Sequence, residues 1–96
     1  MKFRRTPQFH EDFDDLEEDE KREVKEAFPY LMLALQGNVE LFQKFRIKQM
    51  QGHDNIWEGH VKINLCFTFH YDETDNGEKI CFFRRVGMHK IHKKPS

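Results

Sequence analysis

The residues best able to do chemistry lie in two stretches. Arg84-Arg85-Val86-Gly87-Met88-His89 closes an apolar run, and Lys90, His92, Lys93 and Lys94 follow it. A titratable imidazole just past a glycine, beside fixed positive charge, suits binding and cleavage of a phosphodiester. Earlier in the chain Glu58, His60 and Lys62 alternate, and so share one face of a predicted strand. RNA cleavage without a metal needs little more than these groups. A base takes the proton of a ribose 2′-hydroxyl, an acid protonates the leaving 5′-oxygen, and cations stabilise charge developing on the phosphate. His60 and His89 can fill the first two roles because imidazole titrates near neutrality. Arg85, with Lys62 as helper, can supply the cationic clamp. Plain structural roles stay open for the same residues. His60 is also a reasonable surface histidine, His89 a turn residue, and Glu58 either orients a base or pairs with Lys62. Arg84 and Arg85 are adjacent on a strand and are expected on opposite faces, so that only one joins a sheet-face site. His89 and His92 could form a metal pair on a helix, but no third ligand is in view, and neither a metal nor a cofactor is called for.

The elements that must position these groups fit in one domain of 96 residues. A chain this short depends on large side chains for its core, and its 10 phenylalanines supply them. Cys66 and Cys81 sit apart in apolar runs and read as buried free thiols in a reducing compartment. No apolar run approaches the roughly 20 residues that span a bilayer, and charges follow Phe3 where a signal peptide would have an apolar block. A cytoplasmic protein is expected, with no membrane partner. The net charge of −1 conceals an asymmetry: ten acids lie between Glu11 and Glu26, whereas six bases and no acid lie from Lys79 to the end. A basic end can hold a polyanion or merely be a solvated tail. The acidic stretch is an unsuitable RNA surface.

The periodicities predict an α+β fold: an N-terminal strand, two helices, then a three- or four-stranded antiparallel sheet. Lys2 to Thr6 alternates as a strand. Thr6-Pro7 then reads as a helix N-cap with proline at the first helical position. Phe9, Phe13 and Leu16 recur at helical spacing, giving a helix to about Leu16 or Asp19. A second helix, about Glu20 to Leu35, carries Val24, Ala27, Phe28, Leu31 and Leu35 on one stripe. Pro29 is a potential kink, and Gly37-Asn38 is a stop. Val39 to Phe45 is expected to add a short helical turn. Strands are predicted at Arg46–Met50, Ile56–Ile63, Leu65–Tyr71 and from Glu78 or Lys79 to Val86, the last two joined at Asn76-Gly77.

The ordered set of motifs resembles the RelE/ParE toxin superfamily of type II toxin–antitoxin systems. Thr6-Pro7-Gln8-Phe9 looks like its opening helix, and Lys48-Gln49-Met50-Gln51-Gly52 like its strand and turn. Ile56-Trp57-Glu58-Gly59-His60-Val61 is similar to its next strand, and Arg85-Val86-Gly87-Met88-His89 to its closing motif. Within the superfamily the YafQ branch is most similar, with His60, Arg85 and His89 at positions matching its histidines and arginine. The resemblance implies a RelE-like fold over residues 1–96 and a ribosome-dependent mRNA endonuclease, an mRNA interferase held inactive by a cognate antitoxin, without DNA binding of its own. His89 is then the leading acid or base, His60 its partner and Arg85 the phosphate-stabilising cation. The cations expected along the RNA are Lys48, Lys62, Arg84, Lys90, Lys93 and Lys94. The match departs at Asn64, where the YafQ branch has an aspartate, at Cys66, near which RelE and YoeB relatives place an arginine, and at Lys93, where an aromatic is usual. These departures leave open a weakened nuclease that only binds an antitoxin, and a ParE-like gyrase-inhibiting toxin is the other alternative.

Overall fold

The computed structural model describes residues 1–88. Strand β1 (Lys2–Arg5) leads into α1 (Pro7–Asp14), α2 (Glu18–Leu35) and α3 (Val39–Lys44); β2 (Lys48–Gln49), β3 (Trp57–Lys62), β4 (Leu65–Glu73) and β5 (Lys79–Gly87) follow. The sheet has five strands in the order β1-β5-β4-β3-β2. It is mixed, because β1 runs parallel to β5 while every other pairing is antiparallel. The expected α+β order is therefore present, and the N-terminal strand joins the four later strands in a single five-stranded sheet.

Local chemistry sets the helix ends. Thr6 Oγ1 accepts from Phe9 N at 3.1 Å, and Pro7 occupies the first turn where a missing N–H costs nothing. Helix α1 ends at Asp14, earlier than Leu16. A separate start at Glu18 follows, with Glu17 N donating to Glu20 Oε1 at 3.1 Å. Glu18, Asp19 and Glu20 in that first turn meet the positive end of the helix dipole, which accounts for part of the acidic run. Helix α2 continues through Pro29. It stops at Gly37, whose φ of 114° allows Gly37 N to reach Ala34 O at 3.3 Å and Asn38 N to reach Leu33 O at 3.2 Å. Asn38 then caps α3 through Leu41 N at 3.0 Å.

The core lies between α1–α2 and one sheet face. Phe9, Val24, Leu31, Leu65, Phe67, Phe69, Cys81, Phe83 and Val86 are all nearly fully buried in it. Phe83 is met edge-on by Phe28 at 5.1 Å, and Trp57 stacks on Phe69 at 6.3 Å, so the phenylalanines do form the core. Cys66 and Cys81 are buried free thiols, as read from the sequence. Gly59 has a packing reason. It pairs with Phe67, and a Cβ built on it would lie 2.3 Å from the Phe67 ring. Gly59→Ala should therefore destabilise the fold by about 1–3 kcal/mol through overpacking. A lower midpoint in urea unfolding, at unchanged slope, is the expected result; an unaltered midpoint would show that the ring yields freely.

Candidate functional site

The decisive local feature is where β1 stops. Its ladder with β5 covers Ile80 to Phe83, and beyond that α1 takes over the β5 edge. Thr6 N donates to Phe83 O at 3.0 Å, Thr6 Oγ1 donates to Arg84 O at 2.9 Å, and Val86 N donates to Asp12 Oδ2 at 3.2 Å. Asp12 also holds Arg85 by a fork, with Nε donating to Oδ2 at 2.9 Å and Nη2 to Oδ1 at 3.0 Å. The Asp12 side chain is only 10% exposed and that of Arg85 19%, so this pair is little screened by water. Burial alone would raise the Asp12 carboxyl. The hydrogen bonds from Arg85, Gln8 and Val86 N, together with the Arg85 charge, outweigh it and leave Asp12 below the usual carboxylate range. Arg85 is correspondingly raised by its hydrogen bond to Asp12.

Strand β5 carries a bulge at this point. Thr68 faces Arg85 while Phe69 faces Phe83, which leaves Arg84 as the extra residue. Phe83 and Val86 both enter the core, so the two arginines between them lie on the side away from it. The expectation that Arg84 and Arg85 point to opposite faces is thus corrected: strict alternation fails at a bulge. Arg84 Nη1 donates to His70 Nδ1 at 2.9 Å.

His60 lies across the sheet from Arg85. The register aligns Glu58, Thr68 and Arg85 in one row and His60, Cys66 and Gly87 in the next. His60 and Arg85 therefore flank β4 on the same face, with their strands about 10 Å apart. His60 Nδ1 is 3.3 Å from Cys66 Sγ. Burial, with the Glu58 charge, pushes the Cys66 thiol up to about 11, so it stays protonated near neutrality and is no nucleophile. Glu58 is buried on the far side of the sheet from the helices, and its ion pair is with Lys48 across β2–β3 at 3.4 Å. Lys62 does not join Glu58 and His60 as the alternation implied. After an irregularity between His60 and Lys62, its ammonium pairs with Glu23 of α2 at 3.1 Å, and that partner raises it. His89, Lys90, Lys93 and Lys94 lie outside the described residues, so the structure brings together His60, Arg85, Glu58 and Lys48 but not the complete expected set. Among the described residues no group of three or more histidine, cysteine or acidic side chains could hold a metal ion, and no helix is long and apolar enough to cross a membrane.

The sequence reading missed Asp12, His70 and Thr68. Asp12 did leave a signal: it falls three residues after Phe9 and four before Leu16, a charge on the apolar stripe of its own helix.

Three solved toxins share this architecture. A YoeB/ParE toxin from Agrobacterium tumefaciens superposes with a TM-score of 0.67 at 9% identity, covering 93% of this chain and 99% of its own. YafQ from Escherichia coli does so with a TM-score of 0.63 at 23% identity, covering 92% of each chain. The chain has the fold of these toxins. A copper-bound mutant toxin from Helicobacter pylori matches the same toxin fold with a TM-score of 0.59 at 20% identity, covering 94% of this chain and 96% of its own. No protein-family model matches the chain, and no curated protein sequence does. The resemblance to RelE/ParE toxins read from the sequence is thus met by the toxin fold itself.

Asp12 should be a main support of this fold. Asp12→Ala is expected to lose about 2–3 kcal/mol, because it leaves a hydrogen-bonded cation and a buried N–H without their acceptor. The sign with pH follows from the lowered Asp12 value: its contribution is complete above the unfolded value of 3.8 and is lost as pH falls through the folded one. Urea unfolding of wild type and Asp12→Asn from pH 7 to pH 2 should show the difference between them shrinking across that window. A constant difference would exclude the linkage.

Proposed function

We propose that the chain is the toxin of a toxin–antitoxin pair and a ribosome-dependent mRNA endonuclease. The observation that carries this reading is the pairing, on a toxin fold, of His60 and Arg85 on one sheet face either side of β4. In the proposed reaction a histidine removes the 2′-hydroxyl proton and O2′ attacks the adjacent phosphorus. The 5′-oxygen leaves with a proton from the second histidine, giving a 2′,3′-cyclic phosphate and a 5′-hydroxyl end. His60 and His89 take these roles, and Arg85 stabilises the phosphate charge, pre-oriented by Asp12. For His60 to serve as base at Nε2, its Nδ1–H must donate to Cys66 Sγ. As an acid His60 must be the imidazolium, whose Nδ1–H likewise donates to Cys66 Sγ while Nε2–H gives up its proton. In both roles the Cys66 contact holds Nδ1 and leaves Nε2 to exchange the proton. Lys48, paired with Glu58 and largely exposed, remains a candidate RNA contact, whereas Lys62 is tied to the acidic α2. A cognate antitoxin is proposed as the protein partner.

A second reading, a ParE-like inhibitor of gyrase, shares the fold, and the Agrobacterium toxin bears both names. Induction of the wild type without antitoxin, with mRNA ends mapped and plasmid supercoiling measured, separates them. Cleaved mRNA with normal supercoiling is expected, and His60→Ala should lower the cleavage rate by roughly 10²–10⁴-fold. Lost supercoiling over intact mRNA would sink the nuclease reading. Equal cleavage by the His60→Ala form would remove His60 from the chemistry.

A further inference from the structure

On the same sheet face, further along β4 and β5 from His60, the rings of His70 and Phe82 lie parallel. They are paired across the strands, with centroids 5.0 Å apart and planes 12° from parallel. Arg4 of β1 stands opposite Phe82 on its other side, so Arg4, Phe82 and His70 form a row across three strands. Arg84 sits beside the row with Nη1 on His70 Nδ1. Because a guanidinium can only donate, Nδ1 must accept, and the neutral ring carries its proton on Nε2. Among the described residues no acceptor meets that Nε2–H. Burial and the Arg84 charge both lower His70, which keeps the ring in this neutral tautomer; Asp72, its charged neighbour on β4, opposes them less strongly.

This cluster is a poor design for stability alone. The Arg84 Nε is buried and finds no hydrogen-bond partner among the described residues, a cost that calls for an explanation. Two half-buried rings, a fixed edge donor and nearby arginines on a sheet face are the ingredients with which sheets hold unpaired bases. We propose that His70, Phe82 and Arg84 form a platform on which one base of the mRNA stacks, next to the nucleotides reaching His60 and Arg85. The platform rests on the RNA-cleaving reading above and extends it to a residue set that contacts the substrate away from the scissile bond. His70 Nε2–H would meet a carbonyl oxygen or ring nitrogen of the base, and Arg4 and Arg84 would supply the positive potential for the adjoining phosphates. Asp72 marks the end of the favourable surface along β4.

The test is binding of a fluorescein-labelled single-stranded RNA of mixed sequence at low salt, by anisotropy, to the purified full chain. The wild type, His70→Ala and His70→Phe are compared, each checked for folding by its thermal transition. His70→Ala should bind about tenfold more weakly, and His70→Phe, which keeps the stacking ring, should recover most of the loss. If the wild type does not bind, or if the folded His70→Ala form binds equally well, the platform is wrong. Mapping mRNA ends after induction of the same three forms separates this failure from failure of the nuclease reading. RNA binding that depends on His70 without any cleavage would overturn the nuclease and keep the platform. Cleavage at unchanged sites and rates by His70→Ala would overturn the platform and keep the nuclease.

Discussion

The structure turns on the carboxylate of Asp12. A strand edge that loses its partner must satisfy its N–H groups elsewhere. Strand β1 is too short to pair β5 along its whole length, and the unpaired part is the part that carries Arg85. Asp12 answers both needs with two oxygens, taking Val86 N on one and the Arg85 fork on both. The first helix is thereby fixed to the sheet by polar contacts at the one place where Phe9 cannot do it by packing. The same contacts set the direction of the guanidinium on which the proposed chemistry depends, so stability and the site share one group.

Much of the fold was legible in the residues. Thr6-Pro7, Gly37-Asn38 and Asn76-Gly77 mark local backbone states that few other residues provide, and each appears where expected. The stripe Val24, Ala27, Phe28, Leu31 and Leu35 is a burial pattern, and burial is what a helix on a sheet requires. What could not be read depends on contacts far apart in sequence. The parallel pairing of β1 with β5 has no local signal. The bulge at Arg84 breaks the period of two on which the assignment of the arginines rested. Lys62 alternates correctly with His60 on paper, but a nearby irregularity and the acidic α2 draw it to Glu23.

The candidate site divides in the same way. His60 and Arg85 flank β4 on one sheet face. Their environments are supplied by partners that no motif contains: Cys66 on one and Asp12 on the other. Cys66, raised by burial and by the Glu58 charge, stays a neutral thiol beside His60. A neutral neighbour of this kind changes which tautomer His60 prefers.

The parallel pairing of β1 with β5 has a consequence for biosynthesis. Thr6 and Arg84, joined by a hydrogen bond, are 78 positions apart. The opening strand therefore has no ladder partner until Lys79–Gly87 has been made, and Asp12 has no fork to close until Arg85 has. Helices α1 and α2 can form early, but the sheet edge that orders them cannot, since long-range pairing must wait for the loop between its ends to close. In a chain emerging from the ribosome, the β1–β5 edge and the Asp12–Arg85 fork can therefore form only after β5 has cleared the exit.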